Sequence, residues 1–171
     1  MIERPLRGEP LCLDLVNTTW VDGGASRDLF DEPGGAGEWL AEHGYGDRVA
    51  DGTVAALRET REALRTQLEQ GAAGPLNAVL ARGSRSPVLT PDGPGERVEV
   101  DPVWRPAWDA AVDHLRLLGA RPERVRHCAH PACVLWFHDT SRNGTRRWCS
   151  METCGNRAKA GRHYARARGT G

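Results

Sequence analysis

The chain of 171 residues has no apolar run long enough to cross a bilayer, and stretches such as Val134-Leu135-Trp136-Phe137 fall far short of the length required. Its first residues, Met1-Ile2-Glu3-Arg4-Pro5, lack the basic and then apolar character of a secretory leader, so a cytoplasmic protein with no membrane partner is expected. Also missing are a Ser-His-Asp order, an HExxH pair, a GxGxxG turn and a P-loop. Their absence removes the commonest hydrolase, metalloprotease and nucleotide-binding chemistries. Hydrophobic residues make up 39% and charged residues 27%, which excludes a fully disordered chain. The 20 Gly and 11 Pro predict a large share of loop.

The formal net charge is zero, but it is unevenly spread. Residues 121–171 hold ten Arg and one Lys against Glu123, Asp139 and Glu152, a net of +8, so residues 1–120 carry −8. Such a split points the basic end toward an anionic partner and sets a domain boundary between Leu118 and Pro122.

The cysteines divide the same way. Cys12 stands alone in an apolar run, as an inert buried thiol would. Cys128, Cys133, Cys149 and Cys154 form two CxxxxC pairs separated by 15 residues. Two facing turns that each bring two thiolates together supply four soft donors at tetrahedral corners, the set a structural Zn²⁺ takes, one per chain. Two disulfides or an iron–sulfur cluster would use the same four residues. His127, His130 and His138 lie near enough in sequence to replace a thiolate. A replacement of that kind would leave room for an open, catalytic metal site.

Leu11 to Thr18 is short and apolar, and fits a helix or a strand equally well. A Gly-rich loop follows through Gly23-Gly24 and Gly34-Gly35, and Trp39-Leu40 reads as a short buried turn or helix. Thr53 to Gln70 has a clear helical period, with Thr53 as N-cap, Leu57, Arg61, Leu64 and Leu68 on one stripe, and Gly71 as the stop. Pro75 opens another helix that Gly83 would end. Val88-Leu89-Thr90 and Arg97-Val98-Glu99-Val100 read as the arms of a β-hairpin. Pro106 to Leu118 returns to helix, with Trp108, Ala111, Val112, Leu115 and Leu118 at helical spacing. The fold expected for residues 1–120 is mainly α with one small hairpin.

In the basic segment, Asn143-Gly144 is a strong hairpin signal. One cysteine pair is expected before that hairpin and the other after it, with a helix from Asn156 to Arg168. Hairpin plus helix around one metal is a treble-clef-like or knuckle-type zinc module. The run Cys154-Gly155-Asn156-Arg157, with Thr140-Ser141-Arg142-Asn143, Arg146-Arg147-Trp148-Cys149-Ser150-Met151 and Lys159, closely resembles the CGNR zinc-finger family. Leu11-Cys12-Leu13-Asp14-Leu15-Val16-Asn17-Thr18 resembles the start of the helical ABATE domain that precedes this finger in bacterial proteins. The resemblance implies residues 1–120 as a ligand-binding or regulatory domain, residues 121–171 as a zinc finger, and a role as a stress-induced transcription regulator.

The residues of the module point to nucleic acid on their own account. Arg142, Arg146 and Arg147 lie on or beside the expected hairpin, and Lys159, Arg162 and Arg166 share one face of the expected helix, flanked by Arg157. Guanidinium forks match phosphates and read guanine in the major groove. About six phosphate contacts would lower affinity roughly a thousandfold between 50 and 200 mM salt. Trp136, Phe137 and Trp148 read as the small core of the module, and Tyr164 divides evenly between core and base stacking. Asp139 reads as a cap or brace.

In the first domain, Asp14, Asn17 and Arg61 are polar residues in apolar surroundings. Around one cleft they would hold a small polar or anionic ligand, while a buried Asp–Arg pair with helix caps would need no ligand. Three functions fit the sequence. One is a DNA-binding regulator whose N-terminal domain senses a small-molecule effector or a partner. Another is a small-molecule enzyme using that cleft or a pocket beside the zinc module. The third is a protein- or RNA-binding adaptor. Pairing into a homodimer would extend the small footprint of one finger, although no dimer seam is visible in the sequence.

Overall fold

A computed structural model describes residues 2–159. Helix α1 (Leu11–Val16) resolves the ambiguity of the first apolar run. Cys12 through Val16 are all buried, which suits a helix enclosed on every side. Its first turn is satisfied from elsewhere in the fold, because the Cys12 amide donates to the Asp113 carboxylate at 3.1 Å.

Strands β1 (Thr19–Asp22) and β2 (Ala25–Asp28) form an antiparallel hairpin where only a loop was expected. Gly23 and Gly24 make its two-residue turn at φ of +56° and +88°, a backbone that side chains with a Cβ resist. Helix α2 (Gly35–Glu42) then buries Trp39 and Leu40.

Helix α3 (Thr53–Gln70) matches the expected span, and Gly71 closes it. Thr53 is its first helical residue rather than the cap, which is Gly52. The buried stripe holds Leu57, Arg61 and Leu64, and each leucine contributes about 2 kcal/mol by leaving water. Helix α4 (Gly74–Leu80) follows with Pro75 in its first turn. Gly83 does not stop it but begins β3 (Gly83–Thr90), which pairs with β4 (Gly93–Val100) around Pro91-Asp92. The base of this ribbon lies against Trp108, which Gly83 and Arg85 face, while Leu89 near its tip is 85% exposed. Both outer edges are free, so Pro87 fits the ladder.

Helix α5 (Arg105–Ala120) packs on α1, α3 and α4. Its inner face is Ala107, Trp108, Ala110, Ala111 and His114, while Leu115 is exposed. His114 meets Gln67 of α3 at 2.6 Å, and burial lowers its pKa. The chain is therefore mainly α with small antiparallel hairpins. The last of these, β5 (Val125–His127) and β6 (Trp136–His138), lies against α1 and carries the apolar core into the cysteine cluster.

Candidate metal centre and its basic surround

The β5–β6 hairpin encloses the first cysteine pair in its connecting loop. The Cys128 amide donates to the Leu135 carbonyl at 2.9 Å, and the Cys133 amide to the His130 carbonyl at 2.9 Å. The second pair sits on a separate turn. There Gly155 donates to the Ser150 carbonyl at 2.9 Å, closing a π turn over Met151–Gly155, and residues 156–159 continue as helix. The two turns are tied directly, with Ala129 N–H on the Arg147 carbonyl at 2.8 Å and Cys149 N–H on Cys128 Sγ at 3.4 Å.

All four sulfurs lie within 4.8 Å of one another. Cys149 Sγ is 3.7 Å from Cys133 Sγ and 3.6 Å from Cys154 Sγ. A disulfide needs about 2.05 Å. Zinc bound at about 2.3 Å to four tetrahedral thiolates spaces them by about 3.8 Å. A multi-iron cluster binds its thiolates through different iron atoms and spreads them further. Crowded sulfurs share negative charge badly. The Cys128 thiolate is favoured by hydrogen bonds from Cys133 and Cys149, whose own thiols are pushed up in return. A divalent cation removes that conflict. The cluster fits one structural zinc held by Cys128, Cys133, Cys149 and Cys154, and no histidine joins it among the described residues.

The expected Asn143-Gly144 hairpin does not form. Gly144 does turn the chain at φ of +61°, and a Cβ there would stand 2.8 Å from the Arg124 guanidinium. Its flanks, however, are organised by side chains. Buried Asp139 accepts from Ser141 N–H at 2.9 Å, Ser141 Oγ at 2.5 Å and Arg146 N–H at 3.0 Å. Arg124 donates to the carbonyls of Asp139 and Ser141 at 3.2 and 2.7 Å. Groups that a strand ladder needs are thereby already engaged. Burial works to raise the Asp139 pKa, yet the Ser141 and Arg146 hydrogen bonds outweigh it and the pKa is lowered. Asp139 is the brace the sequence indicated, applied to a loop rather than a hairpin.

Phe137 is fully buried, and Trp136 and Trp148 are half-buried. Arg146 belongs with them. Its guanidinium lies 4.4 Å from the Phe137 ring centre, donates to the carbonyls of Trp148 (3.0 Å) and Cys149, and faces Glu9 at 3.8 Å. Arg142, Arg147, Arg157 and Lys159 are exposed. Arg147 lies over the Trp148 ring at 5.3 Å. Arg162, Arg166, Tyr164 and the rest of the expected helix beyond Lys159 lie outside the described residues.

Asp14, Asn17 and Arg61 each engage a separate set of partners. Asp14 Oδ1 accepts from Arg4 at 2.7 Å and Trp39 Nε1 at 2.9 Å and meets His43 Nε2 at 3.1 Å. Burial would raise its carboxyl, but His43 and Arg4 hold it below the usual range. Arg61 grips Asp28 through two hydrogen bonds of 2.8 and 2.7 Å and reaches Thr18 Oγ1 at 2.8 Å. Asn17 faces the metal module, donating to the Trp136 carbonyl at 2.8 Å and accepting from its N–H at 2.9 Å. Glu9, which nothing in the sequence marked, accepts from His138 N–H at 2.7 Å beside it.

The finger and the helical part thus form one hydrogen-bonded seam, and comparison with known families covers both sides of it. A profile described as "Putative stress-induced transcription regulator", ABATE, matches residues 9–121. The chain belongs to the ABATE family. The CGNR zinc-finger profile matches residues 124–167, covering the four-cysteine centre of this ABATE protein. No curated protein matches the chain. Among the described residues, no helix is long and apolar enough to cross a membrane.

Proposed function

We propose that the chain is a DNA-binding transcription regulator in which residues 121–171 carry the DNA contact and residues 1–120 respond to a small effector or partner. The observation that carries this reading is the set of exposed cations around a closed metal centre. Arg142, Arg157 and Lys159 make no side-chain hydrogen bond or ion pair among the described residues, and the Arg147 guanidinium lies over the Trp148 ring. Four cysteines fill a tetrahedral zinc and leave no position for substrate, so the metal shapes this surface rather than reacting. Arg146, with its guanidinium turned onto Phe137 and the Cys149 carbonyl, supports the surface from beneath.

Fluorescence anisotropy of the zinc-loaded chain on a mixed duplex pool tests the reading. Four phosphate contacts would weaken binding roughly a hundredfold between 50 and 200 mM salt. Changing Arg147 and Arg157 together to Ala should lower the salt slope by about 2 with zinc content intact. No binding at 50 mM salt, or a slope untouched by the double change, overturns it.

A further inference from the structure

A cleft of about 310 Å³ opens in the helical part where α3 and α5 both begin, with Thr53 and Arg105, the first residue of each, in its wall. The two starts lie close together. A Cβ added to Gly52, the cap of α3, would stand 3.3 Å from the side chain of Val103, just before α5. The positive ends of an 18-residue and a 16-residue helix therefore meet at one place. Two arginines add to them. Arg48 borders the cleft, is exposed and makes no hydrogen bond or ion pair among the described residues. Arg105 gives its Nε to Asp109 at 2.6 Å, and the rest of its fork has no partner among the described residues. Among the described residues no Asp or Glu lines the cleft, although residues 1–120 carry a net charge of −8.

Thr53 marks the cleft as a site. It borders the cleft, is 4% exposed, and its hydroxyl has no hydrogen-bond partner among the described residues. An unpaired buried hydroxyl is costly, and Thr53 does not cap the helix, because Gly52 holds that position and no side chain caps α3. A ligand in the cleft supplies the missing partner. Tyr45 donates its hydroxyl to Asp109 at 2.9 Å, and burial with that carboxylate pushes the phenol up, so it stays neutral and offers the cleft its ring. Half-buried Val100 and exposed Pro102 add apolar surface.

We propose that this cleft binds a small organic anion, a monocarboxylate with a compact apolar body. Its carboxylate takes the Thr53 hydroxyl and the Arg48 and Arg105 guanidiniums as donors, and its body lies against Tyr45, Val100 and Pro102. The volume is at the lower end of small-molecule sites, roughly 300 Å³, which favours a single ring over a nucleotide. In the regulator proposed above this is the effector site. The regulatory consequence rests on that reading, and the binding rests on the cleft alone.

The test uses the full zinc-loaded chain without DNA, titrated with benzoate, benzyl alcohol, benzylamine and inorganic phosphate and followed by amide NMR. Benzoate should shift amides in residues 45–54 and 100–105 saturably and bind about tenfold tighter than each of the other probes. Arg48→Ala should weaken benzoate about tenfold and Thr53→Val about fivefold, while zinc content and the spectrum away from the cleft stay unchanged. Arg48 is exposed and valine keeps the volume of Thr53, so both variants should fold. No saturable shift up to about 10 mM, another probe binding as tightly as benzoate, or indifference to either variant overturns the site. Repeating the DNA titration with benzoate present reads the consequence. A changed DNA affinity supports the effector role, and an unchanged one overturns that role while the anion site stands. Absence of DNA binding in both states instead defeats the regulator reading and leaves the anion site intact.

Discussion

In the helical part the buried side chains include Leu13, Leu15, Trp39, Leu57 and Leu64. In the finger they are three cysteines, Leu135, Phe137 and the carboxylate of Asp139. The first set is stabilised by removing aliphatic and indole surface from water. The second is too small for that, and it depends on a metal, a charged brace and the neighbouring helix α1. Polar residues differ likewise. Asp14 with Arg4 and Arg61 with Asp28 close ion pairs inside the helical part, whereas Asn17 and Glu9 use their polar groups on the finger's backbone. One half is held by its own packing, and the other is assembled by ligands, of which the helical part is one.

Metal removal should separate the halves most sharply. Chelation, or Cys149→Ala, should unfold the finger, since structural zinc contributes about 10 kcal/mol or more. Circular dichroism should show the α1–α5 helices persisting. Leu64→Ala is the reciprocal change, expected to lower the stability of the helical part by about 2–5 kcal/mol in urea titration while zinc stoichiometry stays at one. Asn17→Ala cuts the seam. Leaving the Trp136 amide and carbonyl unpaired costs about 1–3 kcal/mol, and the finger should then melt separately from the helices in calorimetry.

Acid gives the smallest and most graded effect. The Asp14 and Asp28 carboxyls are both lowered, Asp28 by Arg61 and the Phe30 amide against the burial that would raise it. Their stabilisation is complete above the unfolded value near pH 4 and is lost as pH falls through the lower folded values. Thiolates take up protons at higher pH than that. In an acid titration, zinc release reported by a metal-sensitive dye should therefore precede the loss of helix signal. Simultaneous loss would show that the helical part depends on the finger.

Helix α3 was legible because eighteen residues repeat one apolar stripe and end at glycine. The metal ligands were legible because four thiols crowd into matched pairs, a local pattern that folding only has to close. The β1–β2 hairpin was hidden because β2, Ala25-Ser26-Arg27-Asp28, is exposed or half-buried and shows no alternation to read. Asn143-Gly144 misled because turn chemistry alone says nothing about Asp139, whose carboxylate takes the amides that pairing would need. Buried polar residues could be suspected at Asp14 and Arg61, yet Arg4, His43 and Asp28 as their partners follow from tertiary packing. The exposed and the committed arginines look alike in sequence. Only the position of Phe137 and the Cys149 carbonyl sets Arg146 apart from Arg147.

The most direct test of the account is native mass spectrometry of the full chain, purified under reducing conditions without added metal, beside Cys149→Ala. One zinc per wild-type chain, weakened or lost in the variant, is the predicted result. A metal-free folded chain, a pair of disulfides, or iron with inorganic sulfide would contradict the centre on which the rest of the account is built.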